Sequence, residues 1–207
     1  MFLSVRDYIR NLQATLDLLP EEKIYEVVEL LHEARVNQRL ILVMGNGGSA
    51  ATASHMVCDL MKNTRKDDLP NLRVIGLADN MPVFSALGND EGYENVFAGQ
   101  LASYAGPGDV VIAISASGNS PNVLKAVELA NQIGARTVGF TGYDGGKLGQ
   151  MVDLHVNVPS DNIEQVEDIH LVLEHMITSI LRSADSPTWN PQVVLQQWST
   201  QISLPQG

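Results

Sequence analysis

The chain is short of several things at once, and each shortage narrows what it can be. It has a single cysteine, Cys58, in 207 residues. No intrachain disulfide framework can form, and a reducing, cytoplasmic setting fits. Basic residues are scarce: 13 Lys and Arg against 24 Asp and Glu give a formal net charge of −11. Little basic surface is left to displace counterions from DNA or to hold an anionic bilayer, so neither nucleic acid nor membrane is an expected partner. No apolar run approaches the length of a bilayer span. The opening MFLSVRDYIRNLQ carries Arg6, Asp7 and Arg10 and reads as a poor signal peptide. The length suits one domain with a substantial core. A composition of 44% hydrophobic and 18% charged residues is that of an ordinary globular chain.

What is present is a series of short apolar runs alternating with helix-period segments. Val5, Tyr8, Ile9, Leu12 and Leu16 recur at helical spacing over 4–18. After Pro20, Ile24, Val27, Val28, Leu31 and Ala34 do the same over 21–37. Strands are expected near 39–44, 72–77, 109–114, 136–141 and 153–158. Helices are expected near 50–62, 94–105, 121–133 and 162–182, with short ones at 81–88 and 145–151. NDEGY at 89–93 reads as a loop, and Gly106-Pro107-Gly108 as a breaker. Apolar strands separated by helices predict a buried parallel sheet in an α/β fold. Residues 183–207 differ, with three prolines, two tryptophans and almost no charge. Trp, Val and Leu at this density favour a segment docked on its own subunit or a neighbour over a disordered tail.

Two turns stand out. Gly45-Asn46-Gly47-Gly48-Ser49 and Ser115-Ala116-Ser117-Gly118-Asn119-Ser120 each follow an apolar strand and precede a helix. Unpaired N–H groups at a helix start, together with the helix dipole, favour an anion there. Neither turn is a Walker A loop or a dinucleotide fingerprint. Ser115, Ser117 and Ser120 can each donate a hydroxyl hydrogen to a phosphate oxygen. A turn that needed only flexibility would not require three serines. Ser120 also suits the N-cap of the next helix, with Pro121 at its first position.

The ionisable residues gather on two predicted helices. His55 and Asp59 lie one turn apart and share a face. Glu167, His170, Glu174 and His175 form a second group on the long last helix. By residue type alone, a His and an Asp one turn apart read as a solvated helix face, and His170 reads as a helix–helix contact. His32 and His155 read as structural or surface residues, and Cys58 as a small packed residue.

Taken in order, the first turn, His55, Gly88-Asn89-Asp90-Glu91-Gly92-Tyr93, the second turn through Val123, and the helix around 167–175 resemble the sugar isomerase (SIS) domain family, and within it the phosphoheptose isomerases. The likeness covers about 4–182, which defines a single SIS domain over 1–182 and a C-terminal extension over 183–207. It implies a flavodoxin-like three-layer sandwich, with a five-stranded parallel sheet between helices. It also implies a homotetramer with sites at subunit boundaries, acting on a phosphorylated sugar. Carried over residue by residue, Ser115, Ser117 and Ser120 hold phosphate, Asn46, Gly47 and Ser49 meet the sugar, and Asp90 contacts substrate. Asp59 and His175 become the acid–base pair. His55, Asp59, Glu167 and His175 become a zinc site found in some members. Asp59 stands where the family has Glu, and Glu167 where it has Gln. His, Asp, Glu and His is a credible zinc set. The family arginine that follows the catalytic Glu falls near Asn63, so Lys62, Arg65 or Lys66 is left to support phosphate. The expected activity is aldose–ketose isomerisation of sedoheptulose 7-phosphate through an enediolate. The alternatives are another phosphosugar, or a non-catalytic relative that binds a protein such as a replication initiator.

Overall fold

The computed structural model describes residues 4–192. Their order is α1 (Val5–Leu16), α2 (Glu21–Val36), β1 (Leu40–Gly45), α3 (Gly48–Lys62), β2 (Arg73–Gly76), α4 (Met81–Asp90), a 3-10 turn (Tyr93–Asn95), α5 (Ala98–Tyr104), β3 (Val110–Ser115), α6 (Pro121–Ile133), β4 (Arg136–Thr141), α7 (Leu148–Met151), β5 (Leu154–Asn157) and α8 (Ile163–Leu181). The strands form one sheet in the order β2-β1-β3-β4-β5, with every pair parallel. Val43 stands opposite Ile112, and Ile112 opposite Val138.

Alternate residues of each strand point to opposite faces, so the apolar strands feed two cores. Ile41, Val43, Ile112 and Ile114 pack with α2, α3 and α8 on one side. Leu42, Met44, Val111 and Ala113 pack with α5 and α6 on the other. Each fully buried Val, Leu or Ile stabilises the fold by roughly 1.5–3 kcal/mol relative to exposure. This is the three-layer α/β sandwich that the resemblance implies, built on the buried parallel sheet that the alternation predicts.

Local chemistry sets the helix ends. Ser4 Oγ accepts the Asp7 N–H at 3.2 Å, and Asn162 Oδ1 accepts the Gln165 N–H at 2.9 Å. Helix α6 begins at Pro121 and stops at Gly134, which is left-handed at φ 84°. Helix α1 is tied to α8 by a Tyr8–Asp168 hydrogen bond and by Gln165 Nε2 donating to Tyr8 O at 3.0 Å. The Asp168 carboxylate pushes the Tyr8 hydroxyl up to about 12.

Several expectations are corrected. Helix α4 runs through Asn89 and Asp90 into what reads as a loop, because Glu91 N–H still donates to Leu87 O at 2.9 Å. Cys58 is exposed on α3 rather than packed. His170 makes a helix–strand contact, with its Nε2 3.2 Å from Thr141 O at the end of β4. Other expectations are met: His32 and His155 are structural, His32 buried 3.1 Å from Ser186 O and His155 2.7 Å from Thr141 Oγ1. In the extension, Ala184 is buried and Trp189 packs edge-on to His32 at 5.2 Å. The rest of the extension, Trp198 included, lies outside the described residues.

Candidate active site

In a parallel sheet of this order, the connections leaving β1 and β3 diverge to opposite faces and open a crevice at the C-terminal edge. The two singled-out turns are its two lips. At the first, Gly47 adopts φ 54° and ψ −123°, a region essentially reserved for glycine. Asn46 and Asn122 exchange reciprocal amide hydrogen bonds of 2.9 Å, which join the lips. Tyr93 Oη donates to Asn46 Oδ1 at 2.9 Å. Asn122 is buried and carries this link, yet nothing in its spacing marks it among the polar residues of a helix start. Ser49 is buried in the first turn of α3.

At the second lip, Ser115 Oγ and Ser120 Oγ lie 3.3 Å apart. Ser120 precedes α6 in extended conformation, but its hydroxyl makes no capping bond and faces that of Ser115 instead. Ser117 Oγ accepts the Asn119 N–H at 3.2 Å. Gly118 has φ 61°, and a Cβ there would sit 2.2 Å from Gly145 O. The segment before α7 clamps the turn: Leu148 N–H donates to Gly118 O at 2.9 Å, and Lys147 N–H to Asn119 Oδ1 at 3.2 Å. Lys147 is therefore a basic residue beside this turn. Lys62, Arg65 and Lys66 are not: Lys62 ends α3, about 20 Å along the helix from Gly48, and Arg65 and Lys66 lie in the loop beyond it. Their loop is held there by Arg35 Nη2 donating to Thr64 O at 2.9 Å. An open cleft of about 660 Å3, lined by Ser117, Asn119, Tyr143, Asp144, Ser160 and Asp161, continues from this lip. Asp90 is exposed, and its Oδ1 accepts from Asn89 Nδ2 at 2.7 Å. Among the described residues no hydrogen bond joins Asp90 to either turn.

Helices α3 and α8 lie side by side and run in the same sense. The Glu167 carboxylate rests on Gly48, so close that a Cβ on Gly48 would meet it at 2.6 Å. This close approach gives the third glycine of the run, Gly48, a reason that its turn does not. Seven residues further along each helix, His55 meets Glu174. His55, Asp59, Glu174 and His175 each bring one nitrogen or oxygen to a common centre, all within 4.8 Å of one another. His175 Nε2 is 3.4 Å from His55 Nε2 and 3.3 Å from Glu174 Oε2, and His55 Nε2 is 3.8 Å from Asp59 Oδ2. The His55 and His175 side chains are 44% and 51% exposed, so the centre is open on that side; Glu174, at 0%, closes it from behind. Burial pushes the Glu174 carboxyl up, opposed by the Thr178 hydrogen bond and by His175.

Glu167, expected in this set, is not in it. The helix register places it seven residues back, about 10 Å along the axis. Sequence reasoning placed Glu174 in the ionisable group but gave it no role. His170, buried on the same helix, points instead at β4, and burial lowers its imidazole to about 4. The centre fits a small divalent cation. Bonds of about 2.0–2.1 Å to nitrogen and oxygen in a tetrahedron imply ligand separations of about 3.3–3.4 Å, and two of the three contacts match.

A sequence model of the SIS domain matches residues 6–142, and the chain belongs to the SIS domain family. Within that family it is similar to phosphoheptose isomerases. It is 40% identical over 184 residues to the phosphoheptose isomerase of Geotalea daltonii, covering 87% of this chain and 95% of that one. The structure of a phosphoheptose isomerase from Francisella tularensis superposes with a TM-score of 0.79 at 30% identity, covering 85% of this chain and 93% of that one. That from Neisseria gonorrhoeae gives 0.78 at 32%, over the same shares of the two chains.

Proposed function

We propose that this chain is an aldose–ketose isomerase that interconverts sedoheptulose 7-phosphate and a heptose 7-phosphate, with residues 1–182 as the single domain that carries the site. The observation behind this reading is that α3 begins in the first turn and carries His55 about 10 Å further on, in a chain similar to phosphoheptose isomerases over nearly their whole length. The turn that would line the sugar and the ionisable centre therefore lie along one helix.

Ser115, Ser117 and Ser120 would donate to the phosphate at the N-terminus of α6, where the helix dipole adds to the attraction. Asn46, Gly47 and Ser49 would line the sugar chain. Asp59 would take the proton from C1 of the ketose and return it to C2, while His175 moves the proton between the two oxygens. Such positioned acid–base groups contribute on the order of 100- to 10,000-fold each. His55, Asp59 and His175 would hold a zinc ion, whose charge when bound stabilises the enediolate oxygens.

The reading includes a homotetramer with sites at subunit boundaries, in which Asp90 meets substrate. Supporting it, Val5 and Ile9 of α1 and Met81 and Val83 of α4 are exposed in the single chain. It also includes a cytoplasmic setting, in keeping with one exposed cysteine and, among the described residues, no helix long and apolar enough to cross a membrane.

The test is to incubate the protein, as purified and with added zinc, with sedoheptulose 7-phosphate and to follow aldose formation. Turnover in either state supports the reading; none in both sinks it.

A further inference from the structure

We propose that Glu174 supplies the fourth ligand of the cation centre, in place of Glu167. The inference rests on the reading that this centre holds a divalent cation, and adds a residue to it. Three observations converge. First, the Glu174 side chain is completely buried, and its two oxygens differ. Oε1 accepts from Thr178 Oγ1 at 3.1 Å, while Oε2 makes no hydrogen bond. A buried carboxylate oxygen without a donor is costly, and glutamine or methionine would fill the space without one. Second, that oxygen points at the centre: it lies 3.3 Å from His175 Nε2, the edge expected between two ligands of one tetrahedral ion. Third, the parallel register of α3 and α8 puts Glu174 opposite His55 and Glu167 opposite Gly48. Glu167 belongs to the sugar side of the crevice, and Glu174 to the ion.

Charge and reach agree with this assignment. Two neutral imidazoles and two carboxylates balance a doubly charged ion, which suits a centre closed on one side by packed helices. Asp59 makes the widest contact of the set, 3.8 Å from His55. A second carboxylate from α8 completes a centre that a short aspartate leaves loose.

The experiment titrates the metal-stripped full chain with Zn2+ alone, by calorimetry and by competition against a chromophoric chelator. Co2+ is then added to read four-coordinate geometry from its visible absorption. Glu174→Gln is expected to weaken Zn2+ binding at least about tenfold, since even outer groups that only orient ligands are worth 10- to 100-fold. It should also shrink the zinc-induced rise in Tm and change the Co2+ spectrum, while the metal-free Tm holds or rises. Glu167→Gln should bind Zn2+ like the wild type. Glu174→Asp, which keeps the charge but withdraws the oxygen, should weaken binding too and covers the case in which Glu174→Gln does not fold. Wild-type affinity in both Glu174 variants, or a loss in Glu167→Gln instead, overturns the assignment. A wild-type chain that takes up no Zn2+ or Co2+ overturns it as well. Turnover of sedoheptulose 7-phosphate by that metal-free chain would still uphold the isomerase reading.

Discussion

At the two turns, polar groups are tied to one another by ordinary hydrogen bonds: Asn46 to Asn122, Asn119 to Ser117, Lys147 N–H to Asn119. Two helical turns further along α3, where it packs on α8, four ionisable side chains meet only through contacts of 3.3–3.8 Å, and one buried oxygen has no donor. The turns hold their own shape. The ionisable centre is held by the helices that carry it. Substitutions at the first should therefore cost binding and stability together, and those at the second should cost chemistry while leaving the fold intact.

The sharpest test of that contrast is His175→Ala. It should lower kcat by about 100- to 10,000-fold, with circular dichroism and Tm unchanged; a collapse of Tm would mean that the centre is structural after all. His170, five residues earlier on α8, belongs to the packed side of the comparison. Its pKa of about 4 lies below the unfolded value of 6.5. The unfolded chain therefore binds a proton first as pH falls, and stability is lost from pH 6.5 down to about 4. The loss amounts to about 2 kcal/mol by pH 5 and about 3 kcal/mol at pH 4. His170→Gln should flatten urea-derived stability over that window by these amounts, and an unaltered slope would show that His170 is accessible to protons. Gly118→Ala should destabilise by at least about 2 kcal/mol, from a left-handed backbone and a clash with Gly145 O. Ser120→Ala, which removes one charge-assisted hydrogen bond, should raise KM about tenfold with little change in kcat; a fall in kcat alone would move Ser120 to the chemistry. The smallest effect is expected of Lys147→Ala, a two- to fivefold rise in KM, on the order of an exposed charge pair. If Arg65→Ala is the more damaging of the two, the cation at the phosphate comes from a neighbouring subunit.

Much of this was legible beforehand, for identifiable reasons. Strands such as Val110–Ser115 are continuous apolar runs because both faces are covered, and composition alone marks them. The glycines and serines of the two turns mark themselves by backbone freedom and hydroxyl count. Asn89 and Asp90 read as the start of a loop because Asn-Asp-Glu-Gly is turn chemistry, whereas the last helical hydrogen bond of α4 overrides it. Cys58 was misread because its helix position, not its residue type, decides exposure. The resemblance places Glu167 by position along one helix, but which side chains meet depends on two helices. Helix α8 also lies outside the segment that the SIS domain model matches.

The sequence by itself determined the parallel sheet, the two turns at its switch point and the helices that follow them, since these depend on local periodicity and local backbone freedom. Only the tertiary structure decided which carboxylate of α8 faces His55. Glu167 and Glu174 lie two turns apart on the same stripe and are equivalent by pattern. The parallel packing of α8 on α3 sets Glu167 over Gly48, where no side chain stands in its way, and brings Glu174 to the two histidines.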